Sequence, residues 1–146
     1  MTKEIKTSYI PKSDYINYLK KAEEFFSSAQ DSLIKEKWNA AGLNAIHSGI
    51  SSADALLVSL HGIKSMSPKH DDILKLLSSL IKHKALEENI GHLRQLIAMK
   101  NIVEYDQRLI TQNEAVNLAK HAERFLAWVK SILPGGIYGK ETKLQR

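Results

Sequence analysis

The chain has 146 residues, of which 43% are hydrophobic, so it has the size of one domain and enough apolar material for a continuous core. It contains no cysteine, which excludes a disulfide framework and a thiolate zinc site. The 21 Lys and Arg against 16 Asp and Glu give a formal charge of +5, a mild preference for anionic partners. No apolar run resembles a signal peptide or a membrane span, so we expect a soluble, cytoplasmic protein with no membrane partner.

Several stretches of the chain repeat apolar residues at the spacing of an α-helix. The first helix is predicted over residues 13 to 36, where Ser13 is placed to cap it and Pro11 lies in a short extended lead. Its apolar residues are Tyr15, Tyr18, Ala22, Phe26, Ala29 and Leu33. Such a stripe predicts a helix that buries one side.

The second predicted helix begins near Trp38 and continues to His61. Its apolar seam contains Leu43, Ile46, Ile50, Ala53, Leu57 and Leu60. Gly42 and Gly49 lie inside this helix, where each costs about 1 kcal/mol relative to alanine, and this favours the close approach of another helix. The other interpretation is that both glycines are simply tolerated. Gly62 is expected to end the helix in the left-handed conformation.

Two further helices are predicted in the middle of the chain. A short one, over residues 68 to 82, follows Ser67 and Pro68, which are placed as a cap and a first-turn proline. Its apolar residues are Ile73, Leu76, Leu77 and Leu80. The fourth helix is predicted as one continuous segment over residues 86 to 106.

The last helix is predicted to begin at a capping box, TQNE at residues 111–114, and to end before LPGG at residues 133–136. Its seam contains Ala115, Leu118, Ala122, Phe125, Val129 and Ile132. No segment shows the alternation of a strand. The sequence therefore predicts an all-α fold, an antiparallel up-and-down bundle of four long helices and one short helix. We expect a single domain over residues 1–146, with a core at about 13–133 and a tail at 134–146.

The first candidate site lies near the end of the fourth predicted helix. The apolar stripe of that helix contains Leu86, Ile90, Leu93 and Ile97. The next two positions of the stripe are Lys100 and Glu104, and ionised groups are not left unpaired in a core. Residues 100–105 are therefore expected to face either water or a functional site. The alternative is an ordinary helix end, with Tyr105 bonded through its hydroxyl.

A second candidate line of polar residues runs along the second predicted helix. Its members, at steps of three, four and three on one face, are Asn44, His47, Ser51 and Asp54. A histidine near a carboxylate can orient a base or bind an ion, although a histidine beside an apolar seam is more often structural. This face offers too few ligands for a metal, and the chain has no cofactor motif, so we expect neither a metal nor a cofactor.

Three segments together resemble a known family. They are KNIVEY at residues 100–105, WNAAGLNAIHSGISSADALL at residues 38–57, and the segment beginning TQNEA at residues 111–128. They are similar to the motif region, the alanine-rich second helix and the last long helix of an uncharacterised bacterial subfamily of the HEPN family, the higher eukaryotes and prokaryotes nucleotide-binding domain. The resemblance covers about residues 13–133. At the motif, this chain has Lys100 and Tyr105 where the family has arginine and histidine.

HEPN proteins with an intact motif are metal-independent ribonucleases, so the resemblance makes ribonuclease activity one expectation for this chain. Their histidine is proposed to act on the ribose 2′-hydroxyl while the arginine steadies the phosphate. If this chain is active, its catalytic residues are expected to be Lys100, Asn101 and Tyr105. A histidine, with a pKa of about 6.5, suits proton transfer near neutral pH, whereas a tyrosine, at about 10, does not. Lysine also lacks the forked geometry with which arginine holds a phosphate, so both departures weaken catalysis.

Three interpretations follow. The first is a non-catalytic binding or regulatory module that contacts RNA, a nucleotide or a protein partner through the cleft of a homodimer. The second is a divergent metal-independent ribonuclease, the toxin component of a toxin–antitoxin or defence system with a cognate protein partner. The third is a structural helical bundle that binds a partner. The expected ligand-binding residues are Lys100, Asn101, Glu104, Asn44, His47, Ser51 and Asp54.

Overall fold

The computed structural model describes residues 4–134, and helices dominate this part of the chain. The helices are α1 (Tyr15–Ile34), α2 (Trp38–His61), α3 (Asp71–Leu80), α4 (Leu86–Ala98), α5 (Lys100–Glu104) and α6 (Gln112–Ile132). Two short strands, β1 (Thr7–Tyr9) and β2 (Ile63–Ser65), pair antiparallel. The predicted all-α fold is confirmed. None of the described helices has the length and apolar character needed to cross a membrane.

Helix α2 lies at the centre of the bundle and is buried along most of residues 41–58. Its small side chains allow α1, α4 and α6 to pack closely around it. Two buried hydroxyl groups of this helix have partners within the protein: Ser48 donates to the Ala22 carbonyl of α1 over 2.8 Å, and Ser52 donates to the Ser48 carbonyl over 2.8 Å. These bonds satisfy polar groups that would otherwise destabilise the core.

The two glycines of α2 mark close contacts, as predicted. A Cβ atom at Gly49 would lie 2.5 Å from Leu96 Cδ1 of α4. At Gly42 a Cβ atom would lie 2.7 Å from Cδ1 of Ile110, in the segment that leads into α6. Both glycines therefore admit neighbouring side chains to positions that any larger residue would obstruct.

Two helix ends have the predicted chemistry. Gly62 ends α2 in the left-handed conformation, with φ of 67°, and its N–H donates to the Val58 carbonyl over 2.9 Å. The capping box of α6 is complete, because Glu114 N–H donates to Thr111 Oγ1 over 3.1 Å and Thr111 N–H donates to Glu114 Oε1 over 2.8 Å. Both predictions are confirmed.

The expectation that no strand forms is wrong at β1 and β2. Thr7 pairs with Ser65, and Tyr9 pairs with Ile63. The left-handed turn at Gly62 brings the chain back beside its own lead segment, where the two backbones complete each other's hydrogen bonds. Strands of three residues are too short to show a period-two pattern.

Two predicted helix starts are also corrected. Ser13 lies within a 3-10 turn (Lys12–Asp14) and forms no capping bond to α1. The Ser67 hydroxyl accepts from Lys69 N–H over 3.0 Å and donates to Asp72 over 2.6 Å, so it shapes the turn before α3 and does not cap a helix beginning at residue 68. Helix α3 is consequently shorter than the predicted segment, since it begins at Asp71.

The fourth predicted helix is not continuous. Helix α4 ends at Ala98, and α5 begins after Met99, whose N–H donates to the Leu96 carbonyl over 3.2 Å in a tighter turn. Helix α5 packs against α2, and Val103 Cγ2 would lie 3.6 Å from a Cβ atom at Gly42. This contact with α2 accounts for the break, and it places Lys100 at the start of a separate short helix.

Candidate functional site

A polar cavity of about 440 Å³ lies between α5 and the segment that leads into α3, and we call it the α3–α5 cleft. Its lining residues are Pro68, Lys69, His70, Asp71, Ile97, Lys100, Asn101 and Tyr105. Three of the residues predicted from the motif therefore line one cavity. Lys69, His70 and Asp71, on the opposite wall, come from a different part of the chain.

Lys100 is held within the cleft by its neighbours on α5. Its side chain is only 13% exposed, and its ammonium donates to Glu104 Oε1, one turn later, over 2.6 Å. The ammonium also lies 5.5 Å from the centre of the Tyr105 ring. An ammonium has three N–H donors, and the bond to Glu104 uses one of them. Lys100 is thus oriented while it retains the capacity to contact an anion.

Glu104 links α5 to α2. The hydrogen bond from Lys100, followed by a contribution from the Tyr105 hydroxyl, lowers the pKa of Glu104, so this carboxylate is ionised at neutral pH. Its second oxygen, Oε2, lies 3.6 Å from His47 Nε2. The two candidate sites predicted separately, one on each helix, therefore meet at Glu104.

His47 approaches this carboxylate from α2. Its ring centre lies 5.6 Å from that of Phe25, with the planes tilted by 38°. This contact with an α1 side chain supports the ring from the side of the bundle, while Nε2 faces Glu104. His47 thus connects α2 to the Lys100–Glu104 pair.

Tyr105 and Asn101 form the outer part of the cleft. Tyr105 is 74% exposed. The contact of its hydroxyl with Glu104 raises the pKa of that hydroxyl above its ordinary value. A phenol with a raised pKa is a poor base at neutral pH. Asn101 lines the cavity, and its backbone carbonyl accepts from Tyr105 N–H over 2.9 Å.

The rest of the polar line on α2 lies apart from the α3–α5 cleft. Asn44 donates to the Ala40 carbonyl over 3.0 Å within its own helix. Asp54 and Ser51 are buried, and neither lines the cleft. Burial raises the pKa of Asp54 to about 6, against the opposing influence of Lys64 and Lys21. Of the four residues predicted on this line, His47 is the one that the structure brings to Glu104.

His70 is a further site residue, and no pattern in the sequence indicated it. It occupies the position before α3 and lines the cleft opposite Lys100. Burial lowers the pKa of His70, as do the charges of Lys100 and His47, so its imidazole is neutral near pH 7. Nothing in the local sequence distinguishes this histidine, because its position depends on how the segment before α3 folds against α5.

No metal centre is evident in the part of the chain that the structure describes. Among residues 4–134, no three His, Asp or Glu side chains are grouped as a bound metal ion requires. The α3–α5 cleft offers ammonium groups, an amide, an imidazole and a phenol hydroxyl as hydrogen-bond donors, together with the carboxylate of Asp71 as an acceptor.

Comparison with known proteins identifies one family. The family model of the HEPN domain matches residues 15–132, which is most of the chain and includes every residue of α1 to α6. No curated protein matches the chain.

Proposed function

Because the chain belongs to the HEPN family, we propose that it is a binding module that holds a phosphate group of RNA or of a nucleotide in the α3–α5 cleft. One observation carries the proposal: the motif residues Lys100 and Asn101 share a cavity with Lys69 and His70. Ammonium, amide and imidazole groups are donors that recognise phosphate oxygens. The proposed ligand is therefore an anion, with its phosphate between the two walls of the cleft.

The size of the cleft fits this ligand. Its volume of about 440 Å³ falls within the range of about 300 to 1,000 Å³ that is usual for small-molecule sites. The cavity opens beside the exposed Tyr105, whose ring offers a surface on which a base can stack. A nucleotide or one end of an RNA segment can therefore enter without rearrangement of the core.

We propose that binding occurs without efficient cleavage through the motif residues. Attack by a ribose 2′-hydroxyl requires a base whose pKa is near the working pH. The resemblance sets Tyr105 against the family's histidine, and the hydroxyl of Tyr105 has a raised pKa beside the ionised Glu104. The proposed role is thus regulatory or accessory.

Fluorescence anisotropy with a labelled single-stranded RNA tests the binding proposal. We expect Lys100→Ala to weaken binding by about 5- to 30-fold, which corresponds to about 1 to 2 kcal/mol for one charge-assisted bond. It should also reduce the salt dependence, since one phosphate contact is lost. The matched control is Lys130→Ala, which removes a lysine paired with Glu23 at 2.8 Å, outside the cleft. Equal weakening by both variants would show that binding is nonspecific and would contradict the proposal.

A divergent ribonuclease is the second candidate, and one observation favours it. His47 lies 3.6 Å from Glu104, and His70 lines the cleft with Lys100, so two histidines are present near residues 100–105, where the resemblance sets Tyr105 against the family's histidine. As a ribonuclease, the protein would be a toxin that acts with a cognate protein partner. Robust metal-independent cleavage by the unmodified protein would favour the ribonuclease over the binding module. Gain of cleavage only in the Tyr105→His, Lys100→Arg double variant would support a binding site that has lost its chemistry.

We also propose that the chain forms a homodimer. HEPN domains commonly dimerise. Apolar surface is available for such contacts at Leu109, which is 73% exposed. The proposed dimer buries Leu109 between the protomers and leaves the ring of Tyr105 to the ligand.

A further inference from the structure

The charged groups around the α3–α5 cleft are nearly balanced. Lys69 and Lys100 contribute positive charge to its lining, while Asp71 lies on the same wall as Lys69 and Glu104 is bonded to Lys100. These two positive and two negative side chains cancel when the nearby histidines are neutral, and Lys64 adds a further positive charge near His70. A proton added to the site would strengthen its attraction for an anion.

His70 is the titratable group best placed to add that charge. His70 lines the cavity itself. His47 is not among the lining residues and contacts Glu104, which in turn is bonded to Lys100. Besides burial, the free protein's Lys100, His47 and Lys64 disfavour a proton on His70, and Glu104 favours one. A bound phosphate would oppose the influence of the cations and accept hydrogen bonds from an imidazolium, both of whose ring nitrogens donate.

We propose that His70 is an anion-binding residue of the α3–α5 cleft and takes up a proton when a phosphate group binds there. The inference rests on the proposed function and adds a residue and a linked proton to it. The sign follows from the two states of the protein. A histidine whose pKa is higher in the complex than in the free protein makes binding tighter as the pH falls. As the pH falls, the affinity begins to rise near the pKa of His70 in the complex. The rise is complete below the pKa of His70 in the free protein.

Isothermal titration calorimetry with hexauridylate tests this inference. Phosphodiesters and uracil do not titrate near about pH 6.5, so a proton taken up on binding comes to the protein. Measurements in two buffers of different ionisation enthalpy give the number of protons. We expect a measurable fraction of one proton per site, and affinity that rises about threefold to tenfold between about pH 7.5 and 6.

Two variants assign the proton. In His70→Gln, uptake should be lost and the affinity should no longer depend on pH over this range. The matched control is His61→Gln, outside the cleft, where the histidine Nε2 lies 3.0 Å from the Leu80 carbonyl and a glutamine amide can still donate. The control should keep both the uptake and the pH dependence. If His70→Gln does not fold, the ring resonances of His70 in the unmodified protein, followed by NMR with and without hexauridylate, should show its pKa rising on binding.

The outcomes separate this inference from the proposed function. If the unmodified protein does not bind hexauridylate or a mononucleotide at either pH, the proposed function fails, and the inference fails with it. If the protein binds without proton uptake, or if His70→Gln keeps the uptake, the cleft still binds an anion but His70 is not the residue that takes up the proton. An unchanged pKa of His70 in the NMR titration would have the same meaning.

Discussion

The carboxyl group of Asp54 lies in an environment that disfavours its ionised form. Its residue is only 7% exposed, on a face of α2 near Lys21 and Lys64, and burial raises the pKa of Asp54 to about 6 from 3.8. A raised carboxyl pKa means that the folded protein holds the proton more tightly than the unfolded chain does. Stability is therefore lost as the pH rises from about 4 to about 6, and the full penalty is present at neutral pH.

We expect Asp54→Asn to increase the free energy of unfolding at pH 7 by roughly 1 to 3 kcal/mol, since the penalty for ionising the buried carboxylate disappears. At pH 4, where Asp54 keeps its proton in the folded protein, the gain should be much smaller. Urea denaturation at both pH values measures the difference. The exposed Asp31 provides the control, because Asp31→Asn should change stability little at either pH. A loss of stability in Asp54→Asn at pH 7 would show that the ionised form is held by favourable bonds.

The residues of the site differ in how far sequence could identify them. Lys100, Asn101 and Glu104 are near one another in the chain, so helical spacing was enough to group them. Helical spacing placed His47 and Glu104 in two separate groups, one on each helix. The structure shows that these two side chains lie side by side. His70 could not be predicted, because it precedes α3 and reaches Lys100 only through the packing of separate segments.

At the scale of the elements, α2 controls how closely the other helices approach. Gly49 faces Leu96 and Leu93 of α4, with no room for a further carbon atom. Gly91, on α4, is the opposite case, because a Cβ atom added there would have nothing within 4 Å. The same substitution at these two glycines should therefore have opposite effects.

Gly49→Ala is expected to destabilise the protein by about 1 to 3 kcal/mol, since overpacking against Leu96 outweighs the better helix propensity of alanine. Gly91→Ala should stabilise the protein by up to about 1 kcal/mol, because alanine has the better helix propensity and its Cβ atom would meet no neighbouring atom there. Thermal or urea unfolding of both variants measures the contrast. Stabilisation by Gly49→Ala would mean that α4 can move away from α2 without cost.

Elements were predictable wherever an apolar seam was long. The patterns of α1, α2 and α6 and the capping box at Thr111 identified these helices. The break at Met99 could not be read from the chain, since no glycine or proline lies between α4 and α5, and it depends on the packing of α5 against α2. The strands β1 and β2 are too short for a pattern, and their pairing also depends on distant residues.

At the scale of the whole molecule, we expect association. Sedimentation equilibrium at about 100 μM should give the mass of a dimer, as the proposed burial of Leu109 requires. Leu109→Lys should shift the equilibrium toward the monomer, because it places a charge in the proposed contact. The control is Ile34→Lys, at an apolar residue that is 80% exposed at the end of α1. A monomer at this concentration would contradict the dimer proposal and leave the cleft as a site within one chain.

The most direct test of the central claim is an NMR titration of the ¹⁵N-labelled protein with a mononucleotide and with a short single-stranded RNA. If the α3–α5 cleft binds the phosphate, the backbone amide signals that shift most should belong to Lys69, His70, Lys100 and Asn101. The backbone amide signals near Lys130, which pairs with Glu23 outside the cleft, should shift little. Saturating shifts elsewhere, or no shift with either ligand, would contradict this account, and the absence of any shift would favour a purely structural helical bundle.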